Sequence, residues 1–287
     1  LIKKMGLIEK IKAGIIERKP RSGINQSICA KVSQGEKITI CLVSPFPPPY
    51  GGMAIQATKL EKIMTSAGCQ VFPVKTNVDV PFHFKFIKKI PVLRTMVNTI
   101  LFLLKLRKNA IKSDVVYILS GFYNFFFWIT FPAILLCKLA NIPVVLSARG
   151  GGAIQFFSQW KILLKPIINQ AYMITTPSGF LQQSFMDAFE IKPVIIPNIA
   201  DLDQFSFKDR KILQPKLIVT RNLESIYNVA CVIRAFEKVH KSFPNATLAI
   251  VGEGSLREDL EILTKDLGLG NSITFHGRVK HEKIQQL

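Results

Sequence analysis

Apolar residues fall along this chain in two alternating patterns. Short aliphatic and β-branched runs stand at 37–44 (KITICLVS), 70–74, 115–119, 142–147, 171–176 and 193–196. All six read as strands, and the runs at 37–44, 115–119 and 142–147 as strands buried on both faces, as in a parallel sheet. Between them lie stretches with helical spacing. In 53–67 the residues Ile55, Leu60, Ile63 and Met64 share an apolar face, and Gly68 follows as a helix-terminating glycine. In 84–112 Leu93, Val97, Ile100 and Leu104 recur one turn apart. The stretch 153–170 has mixed helical character, and 178–189 reads as a helix with a capping serine. A second set follows a linker at 197–205: strands at 216–220, 247–251 and 272–276, helices at 228–241 and 256–267. Strands alternating with helices in both halves predict an α/β fold of two doubly wound parallel sheets. The expected division is a basic lead segment at 1–36, helical over 5–18, an N-terminal domain at 37–205 and a smaller, incomplete C-terminal domain at 206–287.

One uncharged stretch, 115–137, is long enough to suggest a membrane span. Its pattern argues otherwise. A strand at 115–119 is punctuated by Ser120 and Gly121, and the helix expected at 122–137 is about 24 Å long at 1.5 Å per residue. A bilayer core is roughly 30 Å thick. Asn124 and Pro132 interrupt it further. Residues 1–31 have no long apolar run, so no signal peptide is expected.

Charge changes the picture. The chain has 38 lysines and arginines against 19 acids, a net charge of +19. Between residues 80 and 186 Asp114 is the sole acid against twelve basic residues. Helix-turn-helix, RRM and zinc-finger signatures are absent, which argues against a nucleic-acid partner. Basic residues flanking an apolar helical stripe instead suit a helix lying in the headgroup layer of an anionic membrane. The candidates are Lys85, Lys88, Lys89, Arg94, Lys105, Arg107 and Lys108. Cys29, Cys41, Cys69, Cys137 and Cys231 are odd in number and scattered, so a disulfide framework is not expected and a cytoplasmic, reducing setting fits.

In open parallel sheets ligands bind beyond the carboxyl ends of the strands. Four such ends carry candidate chemistry. Gly51 and Gly52 precede the helix at 53–67, where backbone amides can meet an anion. Arg149 precedes Gly150, Gly151 and Gly152, and could clamp a phosphate or carboxylate. Gly252 and Gly254 follow the strand at 247–251, without the third glycine of a dinucleotide fingerprint. Arg221 follows the strand at 216–220. Asp201 and Asp203 have a D-x-D form but read as a solvated pair in the linker. His83, His240, His276 and His281 have no metal-ligand spacing, and neither a metal nor a cofactor is expected.

The motifs PFPPPYGGMAIQATKLEKIMTSAGCQV, TPSGFLQQSF, IPNIADLDQF, RNLESIYNVACVIRAFEKVHKSFPNATLAIVGEGS and LGLGNSITFHGRV lie within the stretch 37–287. Together they resemble the large retaining glycosyltransferase family 4, which has the GT-B fold. The resemblance implies that Gly51 and Gly52 lie against donor phosphates and that Arg221 binds the donor diphosphate. It places Gly252 and Gly254 near the nucleotide base, and Arg149 where many members have a histidine beside the reacting sugar. Tyr227 and Asn228 stand where many members have a lysine. The family's E-x7-E element is not within the chain. The implied activity is transfer of a sugar from a nucleotide-sugar donor to a lipid-linked or saccharide acceptor, for polysaccharide or glycolipid synthesis, at the inner face of the membrane. The alternative is a truncated, inactive remnant that binds membrane or partners.

Overall fold

The computed structural model describes residues 31, 36–48, 50–77, 91–200, 215–279 and 281–284. The helix expected at 5–18, Lys85, Lys88, Lys89, Asp201 and Asp203 lie outside the described residues. The chain divides into two compact units, Leu1–Ile199 and Ala200–Leu287.

The first unit alternates β1 (Thr39–Ser44), α1 (Gly52–Ser66), β2 (Gln70–Lys75), α2 (Pro91–Ala110) and β3 (Val115–Ser120). A π-helical turn, Phe126–Thr130, then runs into α3 (Phe131–Leu139), followed by β4 (Val144–Ala148), α4 (Ala153–Ile168), β5 (Met173–Thr176), α5 (Gly179–Phe189) and β6 (Val194–Ile195). All six strands are parallel, in the order β2-β1-β3-β4-β5-β6. Right-handed crossovers dictate where the helices go. The step from β1 to β2 runs one way along the sheet and every later step runs the other. So, among the described residues, α1 is the helix on one face, with Ala57, Leu60 and Met64 against Ile40, Leu42, Tyr117 and Val145. Helices α2 to α5 cover the opposite face, around Phe102, Leu106, Ala133, Phe156, Phe157 and Phe185. Burial of each such large side chain contributes about 1.5–3 kcal/mol.

The strands follow the expected runs, with ends shifted by at most two residues; β1, β3, β4 and β5 are buried, while β2 and β6, at the sheet edges, are only partly so. Other details differ. The buried face of α1 is Ala54, Ala57, Leu60 and Met64, while Ile55 points outward. Two alanines let the helix sit close to the sheet, and this overrides the larger apolar residue. The single helix expected at 122–137 is a π turn followed by an α-helix that carries Pro132 in its first turn, where its missing N–H costs nothing. In α2 the buried residues are Thr99, Phe102, Leu106 and Ala110, whereas Leu93, Ile100 and Leu104 are exposed and Val97 is half-buried. Asp114 is structural: its carboxylate accepts from the Thr39 amide at 2.8 Å and from Lys31 Nζ at 2.7 Å, and it holds the Lys31 ammonium above its ordinary pKa. Among the described residues no helix is long and apolar enough to cross a membrane.

The second unit contains β7 (Lys216–Thr220), a 3-10 turn at Ser225–Tyr227, α6 (Val229–Ser242), β8 (Thr247–Val251), α7 (Arg257–Asp266), β9 (Ile273–Gly277) and α8 (His281–Ile284). Its strands are parallel in the order β7-β8-β9. Val229, Ile233, Phe236, Leu248, Ile250 and Leu260 fill the core between sheet and helices.

Cys41 and Cys137 are fully buried in the α2–α5 layer. Burial pushes both thiols up to about 12, and Cys137 adds to the effect on Cys41. An unfolded thiol ionises near pH 8.5 or so. Above that pH the unfolded chain binds fewer protons than the fold, so stability falls as pH rises toward the folded values. Denaturant unfolding of the parent should therefore lose more stability between about pH 9 and 11 than the Cys137→Ala variant, which keeps one buried thiol. Parallel pH profiles would remove these thiols from the alkaline loss.

Candidate functional site

The direction of chain progression reverses between β1 and β3, so the carboxyl ends of these strands flank a switch point of the sheet, where open α/β sheets bind ligands. The loop after β1 is held from β2's end. Asn77 Nδ2 donates to the carbonyls of Phe46 at 2.9 Å and Pro48 at 2.8 Å, and its Oδ1 accepts from the Phe46 amide at 3.1 Å. The loop's prolines cannot donate, so a side chain supplies the pairing that a strand would. It delivers Gly51 in extended conformation to the N-terminus of α1, which has no side-chain cap and no acid in its first turn. A Cβ on Gly51 or Gly52 would stand in open space. The first amides of α1 have no partner within the helix, and bare backbone leaves them approachable. One turn on, Gln56 pairs with the backbone of Ile199, donating at 3.0 Å and accepting at 2.8 Å.

Arg149 follows β4 directly. Its amide donates to the Ser120 carbonyl at 2.8 Å, extending the ladder by one residue. Its guanidinium donates from Nε to Ser147 Oγ at 3.3 Å and from a terminal nitrogen to Asn198 Oδ1. Burial lowers its pKa from the ordinary value and the Tyr117 hydroxyl opposes this, but a guanidinium stays charged at any working pH. Arg149 is thus a fixed cation that ties β4 to the segment after β6. The next glycines have packing causes. Gly150, at φ +126°, would place a Cβ 3.2 Å from the Phe122 ring, and Gly152 would place one 3.0 Å from the Tyr123 ring. Only Gly151 faces open space.

Between α2 and the π turn lies a cleft of about 760 Å³. Arg94 and Asn98 line it from α2, Asn124, Phe125 and Trp128 from the segment after β3, and Pro48 from the loop after β1. Asn98 Oδ1 is buried with no hydrogen-bond partner among the described residues. The π turn is anchored at its end by Thr130, whose hydroxyl meets Ser120 Oγ at 2.8 Å.

In the second unit Arg221 leaves the carboxyl end of β7 exposed, with its guanidinium carbon 5.7 Å from the centroid of the Tyr227 ring. Tyr227 belongs to the pair that stands in the expected lysine position. Gly252 and Gly254 bring two loops together: a Cβ would lie 2.0 Å from the Arg221 carbonyl oxygen in one case and 2.3 Å from that of Leu223 in the other. Leu223 N donates to Glu253 O at 3.0 Å, and the Glu224 carboxylate accepts from Ser255 N at 3.1 Å and Ser255 Oγ at 2.8 Å. The close approach these glycines permit is therefore to the backbone that carries Arg221.

Of the expected residues, Gly51, Gly52 and Arg149 stand at the carboxyl edge of the first sheet, and Arg221, Gly252 and Gly254 at that of the second. Arg94 lines the cleft, apart from Lys105, Arg107 and Lys108, which are exposed farther along α2. Asn77, Asn98, Trp128 and Asn198 are not singled out by the sequence. Asn198 had a signal in the IPN motif; the others had none, because the loop or cleft that gives each its place is assembled from segments distant in the chain. Among the described residues no group of His, Cys, Asp or Glu could hold a metal ion.

Residues 203–287 match the model of the family glycosyl transferases group 1, which supports a transferase. No curated protein matches the chain in sequence. Among solved structures, the lipopolysaccharide outer core galactosyltransferase WaaB in its apo form is similar, with a TM-score of 0.58 and 14% identity over 87% of this chain and 71% of that one. WaaG, a glycosyltransferase involved in lipopolysaccharide biosynthesis, gives a TM-score of 0.50 and 14% identity over 84% of this chain and 70% of that one. At this identity the likeness is one of fold: parallel α/β units of the GT-B type, the second one small.

The loop clamp can be tested apart from any activity. Asn77→Ala removes three hydrogen bonds and leaves the Phe46 amide without its partner, a loss of about 1–3 kcal/mol. The expected outcome is a lower denaturant midpoint together with faster hydrogen exchange at Phe46. An unchanged exchange rate there would show that the loop holds itself.

Proposed function

We propose that this protein transfers a sugar from a nucleotide-sugar donor to a saccharide or lipid-linked acceptor, with retention at the transferred carbon. The observation that carries the reading is the presentation of Arg221. It stands exposed at a strand's carboxyl end, inside the segment that matches the glycosyltransferase family, stacked on Tyr227 and held by the glycine turn after β8. A fixed guanidinium suits a departing diphosphate, whose charge grows as the glycosidic bond breaks. In the first unit the approachable amides at Gly51 and Gly52 would offer donors to an anion, and in the second Gly252 and Gly254 would act by positioning Arg221. Arg149, already committed to Ser147 and Asn198, would contribute a fixed positive field at the edge of the first sheet rather than a proton. Such chemistry is mainly positioning and charge stabilisation.

The proposal places the acceptor side of this work at the inner face of a membrane. Helix α2 supports this with a second apolar stripe, Val92, Met96, Ile100 and Leu104, which is exposed and lies apart from its buried face. Lys105, Arg107 and Lys108 follow the stripe. On the same side of the sheet, α3 exposes Leu139 beside Lys138, and α4 exposes Ile162 beside Lys161. Exposed apolar residues among lysines, with hardly an acid near, match an anionic headgroup layer.

Two measurements test these readings. Arg221→Ala should lower turnover on the order of 10²–10³-fold, as loss of one leaving-group stabiliser does. Tyr227→Ala, which removes only the stacking, should cost less than about tenfold. Wild-type turnover in Arg221→Ala would take the leaving group away from this residue. In vesicle co-sedimentation the protein should bind anionic but not neutral vesicles, and release as salt rises. Replacing Lys105, Arg107 and Lys108 by glutamine should weaken that binding by about two orders of magnitude, at roughly 1 kcal/mol per charge. Equal binding to neutral vesicles would defeat the electrostatic docking.

A further inference from the structure

The cleft between α2 and the π turn has no part in the donor chemistry described above, yet its lining is built for a ligand. Its volume, about 760 Å³, lies within the range of small-molecule sites, roughly 300–1,000 Å³. It sits at the carboxyl edge of the sheet, beside the loop that carries Gly51 and Gly52. Three kinds of group converge there. Trp128 and Phe125 offer aromatic surface, brought to the cleft by the π turn and the residues before it. Wide turns of this kind inside helices are frequent at functional sites. Asn98 and Asn124 offer amides, each with donors and an acceptor. Arg94 offers an exposed guanidinium with no acidic partner among the described residues, and no acid lines the cleft.

The amides are not equivalent. Asn77 also borders the cleft, but its amide is taken up by the loop backbone. Asn98 differs: its Oδ1 is buried and unsatisfied among the described residues. A buried acceptor without a donor costs about 1–3 kcal/mol, and a ligand hydroxyl would relieve that cost. A pyranose combines an apolar C–H face with a ring of hydroxyls, so it can stack on an aromatic platform while its hydroxyls meet amides. A guanidinium fork is matched to phosphate or carboxylate oxygens.

We infer that this cleft is a saccharide subsite that takes a pyranose bearing an anionic group, phosphate or carboxylate. Trp128 is the stacking platform, Asn98 the hydroxyl partner and Arg94 the anion partner. The inference rests on the sugar-transfer reading and narrows its acceptor to an anionic sugar. It also separates Arg94 from Lys105, Arg107 and Lys108 farther along α2, giving it a sugar's charge rather than a lipid surface's.

The chain has two tryptophans, so Trp160→Phe leaves Trp128 as the sole indole reporter in the full-length protein. Its fluorescence is titrated with glucose 6-phosphate, glucuronate, glucose, inorganic phosphate and a nucleoside diphosphate. The expected result is a saturable change with glucose 6-phosphate or glucuronate, at least tenfold tighter than with glucose or inorganic phosphate. The response that distinguishes phosphate from carboxylate names the anion. Arg94→Gln should bring the anionic sugar down to the affinity of glucose and leave glucose itself unmoved. Asn98→Leu should weaken both sugars alike, and circular dichroism checks that each variant folds. Equal affinity for inorganic phosphate and glucose 6-phosphate would make the cleft an anion site only and overturn the inference. So would tighter binding of the nucleoside diphosphate, or no saturable change with any sugar. Donor binding, read by calorimetry in parent and Arg221→Ala, is independent of the cleft. A donor that binds through Arg221 beside an unresponsive cleft sinks this inference alone. A responsive cleft beside a chain that binds no donor sinks the transfer reading instead.

Discussion

Phe156 lies fully buried among Phe122, Tyr123, Phe126, Phe127 and Phe157, with ring centroids 5.1–6.1 Å away. Phe157 extends the contact to Phe185 and Phe189 at 4.8 and 4.9 Å. Tilted and edge-on pairs of this kind add to the area they bury. The cluster joins the segment after β3 to the first turn of α4 and to α5. Two of its rings rest on the backbone at Gly150 and Gly152, so the loop carrying Arg149 is shaped by aromatic packing. The same rings set the π turn that carries Trp128 to the cleft. Site geometry in the first unit is thus a consequence of core packing at one edge of the sheet.

The handedness of the crossovers supplies the second constraint. It sets α1 on one face and gathers α2 to α5 on the other. The strand ends collect the loops, amides and Arg149 at one edge, while the gathered helices form an outer surface rich in lysine and exposed aliphatics. The strand-end loops and the lysine-rich helical surface are thereby kept on different parts of one unit. The division within α2 is sharp: Arg94 belongs to the edge, and Lys105, Arg107 and Lys108 belong to the outer surface.

In the second unit, glycine does for backbone what it does for rings in the first. The carbonyls of Arg221 and Leu223 occupy the space where side chains on Gly252 and Gly254 would be. Glu224 and Ser255 close the same contact with two hydrogen bonds. Arg221 therefore stands on a stiff platform although its guanidinium is exposed. On the proposed reading, that combination suits a charge that must be in place before the reaction begins.

Much of the fold was legible in the chain itself. Buried parallel strands are near-continuous apolar runs, and KITICLVS, VVYIL and VGEG each mark a strand or its end without reference to any other segment. Gly68 and Ser178 marked helix ends because caps are local chemistry. Arg221, Arg149 and the paired glycines were legible as strand-end residues for the same reason. What only tertiary structure decided is what depends on partners far away in sequence. Ala54 and Ala57 rather than Ile55 face the sheet because close approach rewards small side chains. Asn77 holds a loop some thirty positions earlier. Asn198 meets Arg149 across 49 positions, and Gly150 and Gly152 are glycines because rings from the loop after β3 lie on them. Local periodicity records whether a residue is buried, but not what it touches, and the cleft of Arg94, Asn98 and Trp128 exists only once three distant segments have met.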